Sequence, residues 1–361
     1  MRVMVVQSWY PSFLEAHYGA HPGLADRPYR EQWVSLMASS FSASDAYSTS
    51  LRALGHEADE IIVNCRQLQE RWAAENGLSL RRRLRSGTRD DWQEAVAAAQ
   101  VEHFRPDIVH VDLLTALLPT TVARFGELAS LVVGQIATFL PPASHLDPYG
   151  LILTSFPHFV PRLRGEGRAC EYLPLAFDPR VLDRLPSASE EHGAVFVGGL
   201  GRAWHGDGND VLEVIARDVP IDFWGYGAES WPEDSPLRRR YHGEAWGLDM
   251  YRVFRAARIG LNRHIDAAAG HANNLRLYDT TGVGCMLLTD AGSNLAELFE
   301  PGREVVAYRD ADDLRAKLRH YLADDEARRE IASAGQRRTL AAHSWPVRMR
   351  EYAEIVAGHA R

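Results

Sequence analysis

Short apolar runs that alternate with longer amphipathic stretches constrain the fold of this chain more than any other feature of its sequence. The runs have the length of strands, and the stretches between them repeat their apolar residues at helical spacing. Because two parallel strands must be joined by a long crossover, usually a helix, this alternation predicts α/β units with parallel sheets. The predicted strands span residues 3–6, 61–63, 108–111, 131–136, 151–154, 194–197, 221–224, 259–261, 286–288 and 305–307.

Helical patterns fill most of the intervals between these strands. Gly55 follows the first of them, at a position where a helix end commonly takes a left-handed residue. The predicted helices span residues 31–54, 88–104 with Thr88 as the cap, 312–322, 325–340, and a last stretch that begins near Pro346.

A segment rich in proline and serine near residue 180 predicts the boundary between two domains, because such composition is typical of linkers. A chain of 361 residues is also long enough for two domains of ordinary size. We therefore expect two doubly wound domains, over residues 1–178 and 190–342, that face each other across a cleft. Ligands bind beyond the carboxyl ends of the strands in open α/β sheets, so the loops after the strands are the places to search.

Composition and charge exclude several classes of protein. The formal net charge of −8 argues against a nucleic-acid binder with a broad basic surface, and the short basic runs at 81–85 and 238–240 read as solvated surface. Three scattered cysteines fit a reduced chain and give no zinc-ligand spacing. The N-terminus lacks a signal-peptide pattern, and no segment approaches the ~18 apolar residues of a membrane span. We expect a cytoplasmic protein with no membrane span and no nucleic-acid partner.

The first candidate loop is rich in glycine and opens a helix. Gly199 and Gly201 would let backbone N–H groups approach an anion, and Arg202 and His205 could add charge-assisted hydrogen bonds to a phosphate. The loop is neither a dinucleotide fingerprint, because Trp204 stands at the position of its third glycine, nor a P-loop, because it has no Gly-Lys-Ser/Thr. The alternative is a mobile turn.

The second candidate loop again follows a strand that ends at glycines. Backbone groups around Gly225 could hydrogen-bond the edge of a nucleobase, while the ring of Tyr226 stacks on it. The alternative is a core tryptophan, Trp224, followed by an ordinary turn.

The third candidate loop is the densest in polar groups. Asn273 or Asn274 is suited to cap the helix that follows, and Arg276 and Asp279 stand three residues apart on one face of it. A carboxylate there could accept two hydrogen bonds from ribose hydroxyls while the arginine pairs with a diphosphate. The alternative is a surface ion pair of little energetic value. The donor-binding candidates of this loop are Asn262, Arg263, His271, Asn274, Arg276 and Asp279.

A continuous stretch from this loop onward has a recognisable pattern. It resembles the C-terminal half of glycosyltransferases of the GT-B fold, most of all the group 1 (GT4-like) branch that includes spore-maturation CgeB-type proteins. Residues 54–57 and 105–110 in the first half resemble the same family more loosely. The elements that carry the main resemblance are residues 274–290, 294–299, 301–308, 312–314, 321–322 and 343–345.

The resemblance implies two Rossmann-like domains, with a nucleotide-sugar held mainly by the second and a C-terminal helix, residues 343–361, that packs back on the first. Asp279 occupies the position of the family's ribose-binding glutamate, and Asn274 and Arg276 would lie near the diphosphate. The loop with Gly199 would face the diphosphate as well, and Tyr226 would stand where the base edge is read.

One position departs from the family pattern. Retaining members carry a Glu-x7-Glu motif, and the first of its two carboxylates is replaced here by His271. Either His271 and nearby backbone groups contact the donor sugar, or the register is shifted. The resemblance therefore leaves open whether the anomeric configuration is retained or inverted.

Catalytic candidates come from the first domain. The stretch from residue 8 to residue 22 reads as a long loop rich in aromatic residues, and it contains His17 and His21. A general base needs a pKa near neutrality, which suits either histidine, and Asp112 after the third strand is a further candidate. The alternative for each is a solvated loop residue.

The expected activity is that of a glycosyltransferase, a hexosyl- or related transferase. It would move a sugar from a UDP-, dTDP- or GDP-sugar to an acceptor hydroxyl or amine, without a metal ion or other cofactor, since no DxD-type metal site is evident and a helix dipole with nearby cations could replace a divalent ion. The rivals are a nucleotide-sugar epimerase of the same fold and a non-catalytic nucleotide-sugar-binding protein. The base, the sugar, the acceptor and the oligomeric state stay open.

Overall fold

The computed structural model describes residues 1–80 and 92–360, and for residues 202–208 it describes the backbone alone. The chain divides into two compact units. The first unit holds Met1–Pro174 with Arg348–Arg361, and the second holds Leu175–Val347. The predicted cap at Thr88 and the basic run at 81–85 lie outside the described residues.

The first unit contains a six-stranded parallel sheet in the order β2-β1-β3-β4-β5-β6. Its inner strands are almost wholly buried, as parallel strands covered on both faces must be. The sequence predicts every strand but the last, which is short and carries a charged residue. The strands are β1 Arg2–Gln7, β2 Glu57–Ile62, β3 Ile108–Val111, β4 Leu131–Ile136, β5 Leu151–Thr154 and β6 Cys170–Tyr172.

Helices connect these strands. The structure confirms the predicted left-handed residue at Gly55, which has φ +83°. The helices are α1 Pro11–Ala20, α2 Tyr29–Ala38, α3 Ala46–Ala53, α4 Arg66–Glu75, α5 Trp92–Phe104, α6 Pro119–Leu128 and α7 Phe159–Gly165.

Two predictions for this unit are wrong. The stretch from residue 8 to residue 22 is mostly the helix α1, since Pro11 is pre-organised for a first helical turn and Phe13, Leu14 and His17 bury one side of it. The predicted helix over residues 31–54 is two helices, α2 and α3. Ser40, Ser42 and Ser44 between them have positive φ angles, which a right-handed helix does not allow.

The second unit contains a five-stranded parallel sheet in the order β11-β10-β9-β7-β8. All five strands are predicted from the sequence, with ends that differ by a few residues. The strands are β7 His192–Val197, β8 Ile221–Trp224, β9 Ala257–Asn262, β10 Met286–Asp290 and β11 Val306–Tyr308.

Helices cover both faces of this sheet. Ala194 and Phe196 of β7 pack into the hydrophobic cluster beneath one set of helices, whereas Val195 and Val197 pack into the cluster beneath the other. The helices are α8 Arg202–Ile215, α9 Pro236–Arg239, α10 Leu248–Arg255, α11 Leu275–Gly282, α12 Leu295–Leu298, α13 Ala311–Ala323 and α14 Asp325–Ala342. A last helix, α15 (Trp345–His359), belongs to the first unit from Arg348 onward.

Each sheet reverses its strand order between its first and third strands, β1 and β3 in the first unit and β7 and β9 in the second. Such a reversal opens a crevice beyond the carboxyl ends of those strands, and ligands of open α/β sheets bind there. In the second unit, the candidate glycine loop follows β7 and the polar candidate loop follows β9. None of the helices described for this chain is long and apolar enough to cross a membrane.

Candidate functional site

Two glycine-rich loops meet backbone to backbone at the carboxyl ends of β7 and β8. Gly225 has φ +136°, and a Cβ atom there would lie 1.8 Å from the carbonyl oxygen of Gly198. Gly227 has φ +85°, and a Cβ atom there would lie 2.6 Å from the nitrogen of Gly201. Only glycine combines these backbone angles with so close an approach, so the two loops form one rigid backbone surface.

Backbone and indole hydrogen bonds hold the two loops together. The N–H of Gly198 donates to the carbonyl of Trp224 at 3.0 Å, and that of Leu200 donates to the carbonyl of Tyr226 at 2.8 Å. The indole N–H of Trp231 donates to the carbonyl of Leu200 at 2.8 Å. The predicted phosphate loop and the predicted base loop are therefore one structural feature.

Asn209 and Arg263 connect this feature to the end of β9. Asn209 is completely buried, and its Nδ2 donates to the carbonyls of Gly199 and Gly201, both at 3.3 Å. The Nε of Arg263 donates to Asn209 Oδ1 at 3.1 Å. Burial lowers the pKa of Arg263, and no described carboxylate lies within 4.0 Å of its guanidinium. This cation therefore lacks a direct anionic partner in the described part of the chain.

Asn274 is the cap of α11. Its Oδ1 accepts from the N–H of Leu277 at 3.3 Å, and its Nδ2 donates to Asn262 Oδ1 at 2.8 Å and to the carbonyl of Arg263 at 3.0 Å. Asn262 is buried and donates in turn to Thr289 Oγ1 at 3.0 Å. These two asparagines use their amides to join the ends of β9 and β10 to the start of α11.

Asn273, which precedes the cap, has an unusual environment. Its side chain is only 5% exposed, yet its Nδ2 has no hydrogen-bond partner among the described residues. A buried amide donor without a partner costs free energy, about 1–3 kcal/mol. Apart from the N–H of Leu277, which Asn274 caps, the first N–H groups of α11 beside it are also without intrahelical partners, as at every helix start. The beginning of α11 is therefore rich in donors and poor in acceptors.

Arg276 and Asp279 form the ion pair that their spacing predicts. Arg276 Nη1 lies 2.8 Å from Asp279 Oδ2, and Arg276 Nε donates to the carbonyl of Val197 at 3.0 Å. The Tyr251 hydroxyl donates to the other oxygen, Asp279 Oδ1, at 3.0 Å. The surface-pair alternative is wrong, because Asp279 is 2% exposed. Burial raises the pKa of Asp279 to about 6, against the opposing effects of Arg276 and Tyr251.

Tyr226 and Trp246 form an aromatic pair next to the joined loops. Their rings are nearly parallel, with an interplanar angle of 9° and 5.8 Å between centroids. Tyr226 is 37% exposed. Trp224 is buried, as the core alternative requires, and stacks on His242 instead.

The remaining residues predicted to bind the nucleotide-sugar donor have fewer described contacts. His271 is partly buried, and its Nδ1 lies 3.0 Å from the carbonyl oxygen of Ala268. The backbone of Arg202 and His205 lies in the first turn of α8, but their side chains lie outside the described part of the chain.

In the first unit, the two histidine candidates differ: His17 is buried, unlike the solvated loop residue of the alternative, whereas His21 is exposed. His17 is buried in α1 and its Nε2 lies 3.0 Å from Ser35 Oγ, while His21 Nδ1–H donates to the carbonyl of His17 at 2.8 Å. Burial, with a smaller effect from His21, lowers the pKa of His17 to about 4. The expectation of a near-neutral pKa is therefore wrong for His17, because its ring is removed from water.

Asp112 lies directly after β3, beside the reversal point of the first sheet. The N–H of Ser8, which follows β1, donates to Asp112 Oδ1 at 3.2 Å. Burial raises the pKa of Asp112 to about 8, and the bond from Ser8 opposes that rise. The carboxyl is thus mostly protonated at neutral pH.

Several residues of the second unit are missing from the sequence-based set of candidates. Asn209 and Tyr251 reach the site from α8 and α10, far along the chain from the residues they contact. No local pattern marks them. Among the described residues, no group of three or more His, Cys, Asp or Glu side chains could hold a metal ion.

Sequence comparison identifies the second unit more closely than the first. Residues 207–354 match the model of a family described as glycosyl transferase-like. No curated protein matches the chain.

Solved structures resemble the whole chain. A glycosyltransferase from Rickettsia africae has 11% identity and a TM-score of 0.60, covering 99% of this chain and 98% of its own. HepE from Anabaena, in complex with UDP-glucose, has 11% identity and a TM-score of 0.64, covering 99% and 100%. Sucrose-phosphate synthase from Thermosynechococcus elongatus has 12% identity and a TM-score of 0.58, covering 99% and 98%. This chain therefore has the two Rossmann-like parallel-sheet domains of the GT-B fold and contains a glycosyltransferase-like domain.

Proposed function

We propose that the protein is a glycosyltransferase that moves a sugar from a nucleotide-sugar to an acceptor hydroxyl or amine. One observation carries the proposal: the donor-rich start of α11 lies at the reversal point of the second sheet, beside two arginines. The glycosyl transferase-like match over residues 207–354 supports it. So does the fold shared with HepE, whose structure contains UDP-glucose.

The diphosphate of the donor would bind at the start of α11. The unpartnered Nδ2 of Asn273 and the first N–H groups of the helix offer hydrogen bonds, and the helix dipole favours an anion there. Arg263 would add a half-buried cation, which interacts strongly with phosphate because little water screens it.

The nucleoside would lie between Asp279 and the aromatic pair. Both oxygens of Asp279 already accept hydrogen bonds, from Tyr251 and Arg276, so ribose hydroxyls could replace Arg276 only if its guanidinium moved. A guanidinium released in this way would be available to the diphosphate. The exposed ring of Tyr226, stacked beside Trp246, would support the base.

Transfer would proceed without a metal ion. The departing diphosphate gains charge as the glycosidic bond breaks, and preorganised positive groups stabilise that charge. Arg263, Arg276 and the start of α11 would supply them. His17, His21 and Asp112 remain the proposed candidates for the general base. Asp112, with a pKa of about 8, would accept a proton more readily as the pH rises toward that value.

An assay of nucleoside-diphosphate release tests this function. UDP-, dTDP- and GDP-sugars are each incubated with a mixture of hydroxyl and amine acceptors, with and without a chelator, over a range of pH. We expect one class of donor to release its nucleoside diphosphate when an acceptor is present. This release should persist in the presence of the chelator. Its rate should increase toward pH 8 in wild type but not in Asp112→Asn.

Other outcomes would contradict parts of the proposal. Loss of activity on chelation, with recovery in Mg²⁺ or Mn²⁺, would contradict metal independence. Epimerised sugar formed from donor alone would identify an epimerase. Tight donor binding without turnover on any acceptor would identify a nucleotide-sugar-binding protein.

A further inference from the structure

His264, which follows Arg263 at the end of β9, forms a closely bonded pair with Asp290. His264 Nδ1 lies 2.6 Å from Asp290 Oδ1, and the backbone N–H of His264 donates to Asp290 Oδ2 at 3.0 Å. Thr289 Oγ1 donates to the same carboxylate at 3.2 Å. These bonds from His264 hold the pKa of Asp290 below its ordinary value although burial acts to raise it. The carboxylate thus fixes both the ring orientation and the proton on Nδ1.

The other ring nitrogen of His264 has no partner. Its side chain is 5% exposed, and Nε2 makes no hydrogen bond within the described part of the chain. A buried polar atom without a partner is costly, and an aspartate that fixes the ring increases the cost of turning Nε2 elsewhere. The nucleotide contacts proposed above for the third loop do not include this nitrogen.

The groups around His264 indicate which ligand would satisfy Nε2. The carbonyl of Arg263 accepts from the Asn274 cap, so this stretch of backbone adjoins the start of α11 and its unpartnered Asn273 amide. Arg263 is the adjoining cation. The titratable groups that interact with Arg263 or Asp290 are Tyr308, Asp266 and Tyr226.

Apart from Asp290, which is paired with His264, and the exposed carboxylate of Asp266, the groups that could contact a ligand here are hydrogen-bond donors and the cation Arg263. Their complementary ligand is an anion that accepts several hydrogen bonds. A neutral imidazole with its proton on Nδ1 offers such an anion only a lone pair at Nε2. The imidazolium offers a donor, and Asp290 balances its charge.

We propose that His264 is a further residue of the anion site, whose Nε2 takes up a proton and donates it in a hydrogen bond to a phosphate oxygen when a diphosphate binds. This assignment rests on the proposed function only in taking the anion to be the diphosphate of a sugar donor. One proton from solvent is bound per diphosphate, and Asp290 remains ionised throughout. His264 is thereby the binding residue and Asp290 its positioning residue.

Proton linkage tests the assignment with inorganic pyrophosphate, which has no base or sugar. Calorimetric titration in two buffers of different ionisation enthalpy gives the protons bound per pyrophosphate, for wild type and for His264→Gln. The glutamine keeps a donor near the place of Nε2 but cannot titrate. The protons that pyrophosphate itself binds cancel in the difference between the two proteins.

Wild type should take up more protons than His264→Gln, by up to one per site, and its affinity should fall more steeply with pH, by up to about tenfold more per pH unit. His320→Gln, on the exposed face of α13, is the matched control and should behave as wild type. A histidine-ring NMR spectrum of wild type, assigned with His264→Gln, should move toward the imidazolium on addition of pyrophosphate.

Equal proton uptake in wild type and His264→Gln would overturn the assignment, as would failure of wild type to bind pyrophosphate. An unchanged His264 ring signal in wild type would overturn it even where the variant does not fold. The proposed sugar transfer and the proposed role of His264 can be contradicted independently of each other. Sugar transfer without His264-linked protons would leave the proposed function intact, whereas His264-linked pyrophosphate binding without turnover of any nucleotide-sugar would leave only the anion site.

Discussion

Asp279 is the residue whose chemistry depends most on its surroundings. Its spacing from Arg276 predicts the ion pair, because residues three apart share a helix face. The bond from Tyr251, 28 residues earlier, and the nearly complete burial follow only from the packing of α10 against α11. The sequence alone allows this carboxylate to be one partner of a surface ion pair. In the structure it is an interior group with a raised pKa.

The raised pKa of Asp279 predicts a particular dependence of stability on pH. The folded protein holds this proton more tightly than the unfolded chain, so unfolding releases it between pH about 4 and 6 and the contribution to stability falls as the pH rises through that range. A rise from 3.8 to about 6 corresponds to about 3 kcal/mol. Urea unfolding of wild type and Asp279→Asn at several pH values should show that stability falls more steeply with pH in wild type between pH about 4 and 6, because the other titrating groups are common to both proteins.

The opposite slope would show that Arg276 and Tyr251 outweigh burial. In that case the free energy of unfolding attributable to Asp279 would increase with pH over the same range. Parallel curves for the two proteins would show that the carboxyl titrates alike in the folded and unfolded states.

Among the structural elements, the two joined glycine loops need glycine chiefly because their backbones approach each other closely, and less because glycine is flexible. Gly225 and Gly243 both have positive φ angles, but a Cβ atom at Gly225 would meet the Gly198 carbonyl at 1.8 Å, whereas one at Gly243 would meet nothing within 4 Å. An added Cβ atom would therefore cause backbone strain alone at Gly243, but both backbone strain and a steric clash at Gly225.

Alanine substitutions at these two glycines should differ in their cost. Gly243→Ala should lose about 1 kcal/mol through its backbone angle alone. Gly225→Ala should lose more than about 3 kcal/mol, since the loop of Gly198 must move, and this movement should also weaken nucleotide binding. Chemical unfolding and nucleotide titration measure the two effects, and equal losses in both variants would contradict the rigid arrangement of the loops.

The elements themselves differ in how well the sequence predicts them. Buried parallel strands such as β1 and β5 contain continuous apolar runs, so their positions can be predicted directly from the sequence. The break between α2 and α3 depends on left-handed serines, which have no strong local preference for that conformation. Helix α1 is missed because its aromatic residues also suit an exposed binding loop.

For the whole molecule, two sheets with the same reversal place the two sets of candidates at equivalent ends of separate units. Asn274, Arg276 and Asp279 are predicted because they lie within one short helix and its cap. Asn209, Tyr251 and the pairing of His264 with Asp290 could not be predicted, because they depend on which strands are neighbours. The net charge of −8 likewise conceals the local cations on which anion binding would depend.

We propose that the end of the second sheet binds the diphosphate of a nucleotide-sugar, and calorimetric titration of UDP-, dTDP- and GDP-glucose measures this binding. Three proteins are compared: wild type, Arg263→Gln, and the matched control Arg252→Gln, whose arginine lies on the exposed side of α10 and pairs with Asp249. We predict that wild type and Arg252→Gln bind one donor alike and that Arg263→Gln binds it at least about tenfold more weakly. Undiminished binding by Arg263→Gln, or no binding of any of the three donors by wild type, would rule out a diphosphate site at Arg263.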